Sequence, residues 1–389
     1  MKKSLIALAA LAAVSAASAQ SSVSIYGNLD QGYFSASSAG VNSSGMNSNI
    51  ASTSTLGFKG TEDLGSGLSA NFNLLGEISM KEGQMGSTTT GNATTNGQKF
   101  NMFNRGATIG LASKAYGSFD VGRITDSAWT TQGSFNNSGM NSFGYSAVNA
   151  TTSNPGAVSG FTGVANPADT TFSGTGTGTK NGSNSGSAPF NFGSGFSYTS
   201  PVIAGFKGSV QSFGAETSNA TAASGAGKGM AYSLNYSNPM GIRLGFGHTD
   251  RNGNTGATAI SLNNFGAEYK TGKFTFVAGT TKTTYEGTWA AQDSMTTTGL
   301  GVGYDLSPQV ELKAAYSTLK SDLSSANKST ITGLTARYKL SKRTSLYGGM
   351  GFGSNTGTGN KQSVYYAGAV NTTDGASMKG YLVGIKHAF

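Results

Sequence analysis

The chain has 389 residues, of which 59 are Gly, 6 are Pro and none is Cys. Charged residues make up 11% and hydrophobic residues 37%, where a soluble globular domain carries about 25% charge and about 45–50% apolar residues with Gly counted. The formal net charge is +9, from 26 Lys and Arg against 17 Asp and Glu. This balance excludes a coiled coil, a disulfide scaffold and a charge-driven disordered chain. It leaves a large β protein whose apolar residues are spread thinly and regularly.

Residues 1–19 read as a secretory signal: Lys2 and Lys3 at the start, an apolar run from Leu5 to Val14, then Ala17-Ser18-Ala19 at the cleavage position. Residues 20–389 then form one domain, and loss of the two lysines lowers the formal charge to +7. Alternating apolar runs predict sixteen strands near 22–34, 52–61, 68–80, 102–113, 118–124, 192–200, 205–214, 229–237, 241–250, 262–270, 273–285, 296–305, 309–320, 329–340, 344–353 and 377–389. Short connections such as Glu62–Gly67, Lys114–Gly117, Asn238-Pro239-Met240 and Ser307-Pro308 alternate with long ones rich in Gly, Ser, Thr and Asn. That asymmetry predicts an all-β fold: a transmembrane antiparallel β-barrel with short periplasmic turns and long extracellular loops. All six prolines fall in connections or at strand ends, where no ladder hydrogen bond is lost.

Parity separates the two faces of each strand. Leu334, Ala336 and Tyr338 oppose Arg337 and Lys339; Leu312 and Ala314 oppose Glu311 and Lys313; Leu56 and Phe58 oppose Thr55 and Lys59. A Lys or Arg facing lipid at mid-bilayer costs about 2–4 kcal/mol, so the charged face should line a water-filled interior, with Asp30, Glu77 and Glu268 on it as well. Arg105 and Arg123 are exceptions, since they share parity with Ile109 and Leu111 and with Phe119 and Val121. A bulge at the strand end turning each arginine inward, or snorkelling to the interface, would resolve the conflict. The third long connection, 125–191, has only Asp126, Asp169 and Lys180 charged, and it carries Trp129, Phe135 and Tyr145. Two placements are open for it: lining a constriction or covering the barrel mouth. At the far end, Tyr381, Val383, Ile385, His387 and Phe389 alternate, as in a last strand closing against the first.

In this order the segments Ser22–Asp30 (SVSIYGNLD), Leu56–Leu68 (LGFKGTEDLGSGL), Asn104-Arg105, Gly122-Arg123, Tyr198–Phe206 (YTSPVIAGF), Leu340–Thr344 (LSKRT) and Gly384–Phe389 (GIKHAF) resemble the general porins of Gram-negative β-proteobacteria, the neisserial and Burkholderia-type group. The resemblance spans residues 20–389. It implies a homotrimer of sixteen-stranded barrels in the outer membrane, exported by the general secretory pathway. Lipopolysaccharide would surround it, and the barrel-assembly machinery would engage the strand ending at Phe389. Each barrel would be a passive aqueous pore for small hydrophilic solutes and ions, narrowed by the third loop. Carried over by position, Lys59 and Arg105 match basic residues of the wall, and Arg123 matches the arginine before that loop. Thr55 and Ser197 stand where many members carry Arg, which implies weak anion preference or near neutrality. The expected pore-lining set is therefore Lys59, Arg105, Arg123, Thr55, Ser197, Asp126, Glu77, Lys313, Arg337 and Lys339.

Other chemistries find little in the residues. His248 and His387 are the two histidines, with no convergent metal-ligand pattern and no Ser–His arrangement. Gly174–Lys180 departs from the phosphate-binding GxxxxGK[ST] pattern. The positive charge is diffuse, unlike a nucleic-acid surface. No enzyme, cofactor or metal is expected. The alternatives are a solute-specific channel and a non-transporting surface β protein such as an adhesin.

Overall fold

In the computed structural model, described here for residues 22–85, 102–143, 192–214, 228–252, 259–285, 294–321, 328–356 and 375–389, one antiparallel sheet closes on itself. Its strands are β1 (Ser22–Ser38), β2 (Val41–Ser48), β3 (Thr55–Gly65), β4 (Leu68–Ser79), β5 (Gln84–Met85), β6 (Gly106–Ser113), β7 (Gly117–Thr125), β8 (Phe192–Thr199) and β9 (Phe206–Phe213). They continue as β10 (Gly229–Ser237), β11 (Ile242–Asn252), β12 (Ala259–Thr271), β13 (Phe274–Tyr285), β14 (Ser294–Asp305), β15 (Val310–Ser321), β16 (Lys328–Lys339), β17 (Thr344–Thr356) and β18 (Met378–Ala388). One helix, α1 (Ser127–Ser134), follows β7. The expected signal, 1–19, and Tyr145, Asp169 and Lys180 lie outside the described residues.

The wall has sixteen staves. β2 and β3 are two pieces of one stave, because β1 pairs its upper half with β2 and its lower half with β3. β5 is a two-residue rung against the upper end of β4. Closure comes from β1 against β18, from Asn28↔Ala388 to Ser38↔Met378, and Phe389 exchanges both backbone hydrogen bonds with Gly27.

Several boundaries differ from the sequence expectation. Residues 102–105 precede β6 as a turn, and β3 runs past Glu62 to Gly65. The turn there is Ser66-Gly67, both with positive φ (52° and 77°), the geometry whose twist matches a two-residue hairpin. The upper part of β1 and all of β2 form a hairpin where a loop was expected, because Ala39 and Gly40 adopt the same positive-φ pair.

Outward residues are apolar and accessible, among them Val23, Ile109, Phe119, Phe196, Leu234, Phe265, Leu300, Leu334 and Val383. Among the described residues no helix is long and apolar enough to cross a membrane, but strands of 8–13 residues with one apolar face are. Aromatics gather near the turn end, with Phe206 on Tyr236 at 4.6 Å and Phe274 on Tyr304 at 4.9 Å between ring centres. Such girdles mark the edge of a lipid band.

Candidate functional site

The described start of the third loop, 126–143, lies inside the barrel, against inward-facing residues of the wall. Its root is built from buried polar groups. Asp126 caps α1, accepting hydrogen bonds from the amides of Ala128 (2.8 Å) and Trp129 (3.2 Å). Gln211 of β9 accepts from Ser127 N (2.8 Å) and donates to Thr125 O (2.9 Å) and Ser197 Oγ (3.2 Å). The Arg251 guanidinium lies 3.3 Å from the centre of the Phe213 ring and 3.7 Å from Asp126 Oδ2. Burial pushes the Asp126 carboxyl above its ordinary pKa, while Arg251, Thr249 and the two capped amides pull it back. Asp126 is fully buried, so its charge is spent on the root and not presented to the lumen.

From there the loop follows the inner wall. Asn264 donates to Ala128 O (2.9 Å), and Gln132 donates to Thr281 Oγ1 (2.9 Å). The wall beneath is made of glycine where the loop presses closest. A Cβ on Gly266 would overlap the Phe135 ring, one on Gly301 would meet Asn137, and one on Gly333 or Gly351 would meet Phe143. These glycines line up by register: Gly245, Gly266, Gly279 and Gly299 form one row, and Gly301, Ala315, Gly333 and Gly351 form the next. Two adjoining rows with no side chain larger than the methyl of Ala315 make a shelf on which a loop can lie. Asn137 is held there by donation to Leu300 O (2.9 Å) and Ser317 Oγ (3.1 Å). Phe143 is fully buried on the shelf and sits at φ +63°, a conformation a bulky residue holds only when its surroundings fix it.

The far end of the strap is caught by the opposite wall. Between β2 and β3, residues 49–54 leave the ladder, and Ile50 packs against Gly32 on the inner face of β1. Asp30 of β1 holds this insert: its Oδ1 accepts from Ile50 N (2.7 Å), Ala51 N (3.1 Å) and the Tyr347 hydroxyl (3.1 Å). The insert then takes the loop. Asn141 N donates to Ala51 O (3.0 Å), Asn141 Nδ2 to Asn49 O (3.2 Å) and Ser142 Oγ to Ile50 O (3.1 Å). The segment 126–143 is thus pinned at both ends and in the middle.

The expected site residues form two clusters, and the others stand apart from them. Lys313 and Arg337 lie under the strap. Lys313 Nζ is 3.1 Å and Arg337 Nη1 3.5 Å from the same Glu311 carboxylate, and Arg337 Nη2 donates to Gly139 O (2.9 Å). Arg105, Glu77, Arg123 and Thr55 cluster near the root. Arg105 turns inward to Glu77 (2.8 Å) with its guanidinium 5.9 Å from the Trp129 ring, and Thr55 pairs with Glu77 across the ladder. Arg123 donates to Asn104 O (2.6 Å), its strand twisted just before it by Gly122 at φ +128°. Lys59 stands lower on the wall, 4.9 Å from the Tyr26 ring. Lys339 is exposed at the turn end of β16, away from the strap. Ser197 is buried behind Gln211 and presents little surface.

Sequence reasoning missed Gln211, Arg251, Asn137 and the 49–54 insert. Repeated Gly-x-Gly in strands, as in Gly245-Phe246-Gly247 and Gly349-Met350-Gly351, was the available signal of a close approach. Among the described residues no cluster of His, Cys, Asp and Glu could hold a metal ion.

Comparison with known proteins adds kinship to this geometry. A family model described as "Gram-negative porin" matches residues 7–358. Outer membrane porin protein 32 of Delftia acidovorans is 31% identical over 395 residues, covering all of both chains. An outer membrane porin protein of Bordetella pertussis is 34% identical over 144 residues, covering 33% of this chain and 34% of that one. Among solved structures, an anion-selective porin from Comamonas acidovorans superposes with a TM-score of 0.71 at 23% identity, covering 95% of this chain and all of that one. OmpT of Vibrio cholerae in its trimer form gives 0.59 at 12% identity, covering 95% and 99%.

Proposed function

We infer the preference of this channel from one premise: the chain belongs to the Gram-negative porin family, and is an outer-membrane barrel through which small solutes and ions diffuse. The proposal is a weak preference for anions, set at the strap. One observation carries it. The described strap has a single carboxylate, Asp126, and that carboxylate is buried against Arg251, while two cations, Lys313 and Arg337, share the one Glu311 beneath the loop. The lumen at that level therefore sees more positive than negative charge. Low-dielectric walls focus such a field on passing ions.

The preference is weak because most wall charges are matched. Arg105 faces Glu77, and Arg243 faces Glu268 at 2.9 Å. Thr55 adds no charge at a position where a basic residue would strengthen the field. Lys59, Arg105 and Arg123 belong to the proposed wall, with Lys313 and Arg337 beneath the strap. The relative from Comamonas is described as anion-selective, which agrees in sign.

A homotrimer, removal of residues 1–19 on export, and engagement of the β18 strand by the barrel-assembly machinery complete the reading. Chemical cross-linking and N-terminal sequencing of the purified protein test the first two. Reversal potential across a planar bilayer in a KCl gradient tests the selectivity.

A further inference from the structure

The register of the wall aligns charges that parity alone leaves scattered. Lys282 of β13 pairs with Thr296 of β14, Thr296 with Lys320 of β15, and Lys320 with Lys328 of β16. All four face outward. Their strand neighbours Thr281, Thr297, Leu319 and Ser329 are buried on the inner side, and Thr281 receives the strap's Gln132 there. Two residues lower on the same outer face lies a row of hydroxyls, Thr280, Thr298, Thr318 and Thr330, and below that Ala278, Leu300 and Tyr316 begin the apolar band. The outer face thus passes from apolar to hydroxyl to lysine in three successive rows.

The height fits a membrane edge. Eight residues separate Phe274, in the lower aromatic girdle, from Lys282. At about 3.4 Å per residue and a tilt of about 40°, this is roughly 21 Å along the membrane normal, near the top of a lipid band about 25 Å tall. Neighbouring strands lie about 4.8 Å apart, so the three lysines span about 14 Å. The outward residues at the upper ends of β1, β2, β4 and β9, such as Ser35, Ser37, Ile78 and Ser212, are uncharged, whereas Lys379 on β18 and Lys228 before β10 stand singly.

We propose that Lys282, Lys320 and Lys328 form a binding site for the phosphate groups of a glycolipid headgroup in the outer leaflet, with the threonine row meeting its polar linkage and the acyl chains lying on the apolar face below. Ammonium groups bind phosphate as point charges, and long lysine stems reach up from a lipid edge to do so. Because this face points away from the lumen, the inference is independent of the ion preference proposed above.

The test uses the full barrel in nanodiscs of zwitterionic lipid, with diphosphorylated lipid A as probe and native mass spectrometry as readout. One lysine near an anionic surface is worth about five-fold in affinity, so the K282A/K320A/K328A variant should hold the probe about a hundred-fold more weakly. Its single-channel conductance should stay at the wild-type value, which also shows that it has folded. The corresponding triple arginine variant should bind as wild type. Equal retention of the probe by wild type and the triple alanine variant would overturn the proposal. So would equal retention of the dephosphorylated lipid, which would mean that only acyl chains are bound. Displacement by millimolar inorganic phosphate alone would identify a free-anion site instead, and exclusion of the probe by a second copy of the chain would make the face a subunit contact.

Discussion

Asp30→Ala should loosen the pore from a position that never touches the solute. The Asp30 carboxylate is buried and accepts from two amides and the Tyr347 hydroxyl on one oxygen. Removing it strands three donors, each costing about 1–3 kcal/mol when buried without a partner. The insert itself holds the strap by three hydrogen bonds, worth about 0.5–1.5 kcal/mol each. A loss of about 3–9 kcal/mol beneath the insert is thus comparable to or larger than the about 1.5–4.5 kcal/mol that fixes the strap to it. The insert should leave its place and release the far end of the loop, while the sixteen-stave wall, closed by continuous ladders, stays folded. Single-channel recording should show a broad spread of conductance levels and closure at lower voltage than wild type. Asp30→Asn keeps an oxygen for the three donors and should give a single level near that of wild type. A folded Asp30→Ala barrel with the wild-type conductance histogram would refute the chain of contacts from Asp30 to Asn141.

Three further outcomes follow from the site. Lys313→Ala and Arg337→Ala should each shift the reversal potential towards cations, and Glu311→Gln should shift it further towards anions, because it strips the one carboxylate those two cations share. Lys59→Ala and Arg105→Ala should move it in the cation direction as well, Arg105→Ala because it leaves the Glu77 carboxylate without its ion-pair partner. Gly351→Leu should force Phe143 off the shelf and push the strap inward, lowering conductance in a barrel that still migrates as folded on unheated gels.

The wall was legible in the sequence because a membrane strand has one apolar face and a period of two. Lys313 and Arg337 are set on the inner face by the alternation of Val310, Leu312, Ala314 and Tyr316 and of Leu334, Ala336, Tyr338 and Leu340, and both side chains meet Glu311 beneath the strap. Parity failed at Arg105 and Arg123, where the backbone departs from regular strand: residues 102–105 form a turn and Gly122 has a positive φ. The strap was less legible. Its path depends on which glycines stand side by side, and register is a property of pairs of strands, not of any one of them. Gly266, Gly301, Gly333 and Gly351 are far apart in the chain and adjacent only in the closed sheet. The 49–54 insert was hidden for a related reason: Ser, Thr, Asn and Ala there read as loop, and nothing local shows that Asp30, on another strand, folds them inward. The outer lysine arc emerged from register in the same way.

Reversal potential in a tenfold KCl gradient tests the central claim most directly. A perfectly selective pore would give about 59 mV in magnitude. The surplus of cations beneath the described strap predicts a potential of the sign for chloride and well below that limit, shrinking as salt rises and screening shortens. A potential of the opposite sign, or one near the limit for potassium, would contradict it.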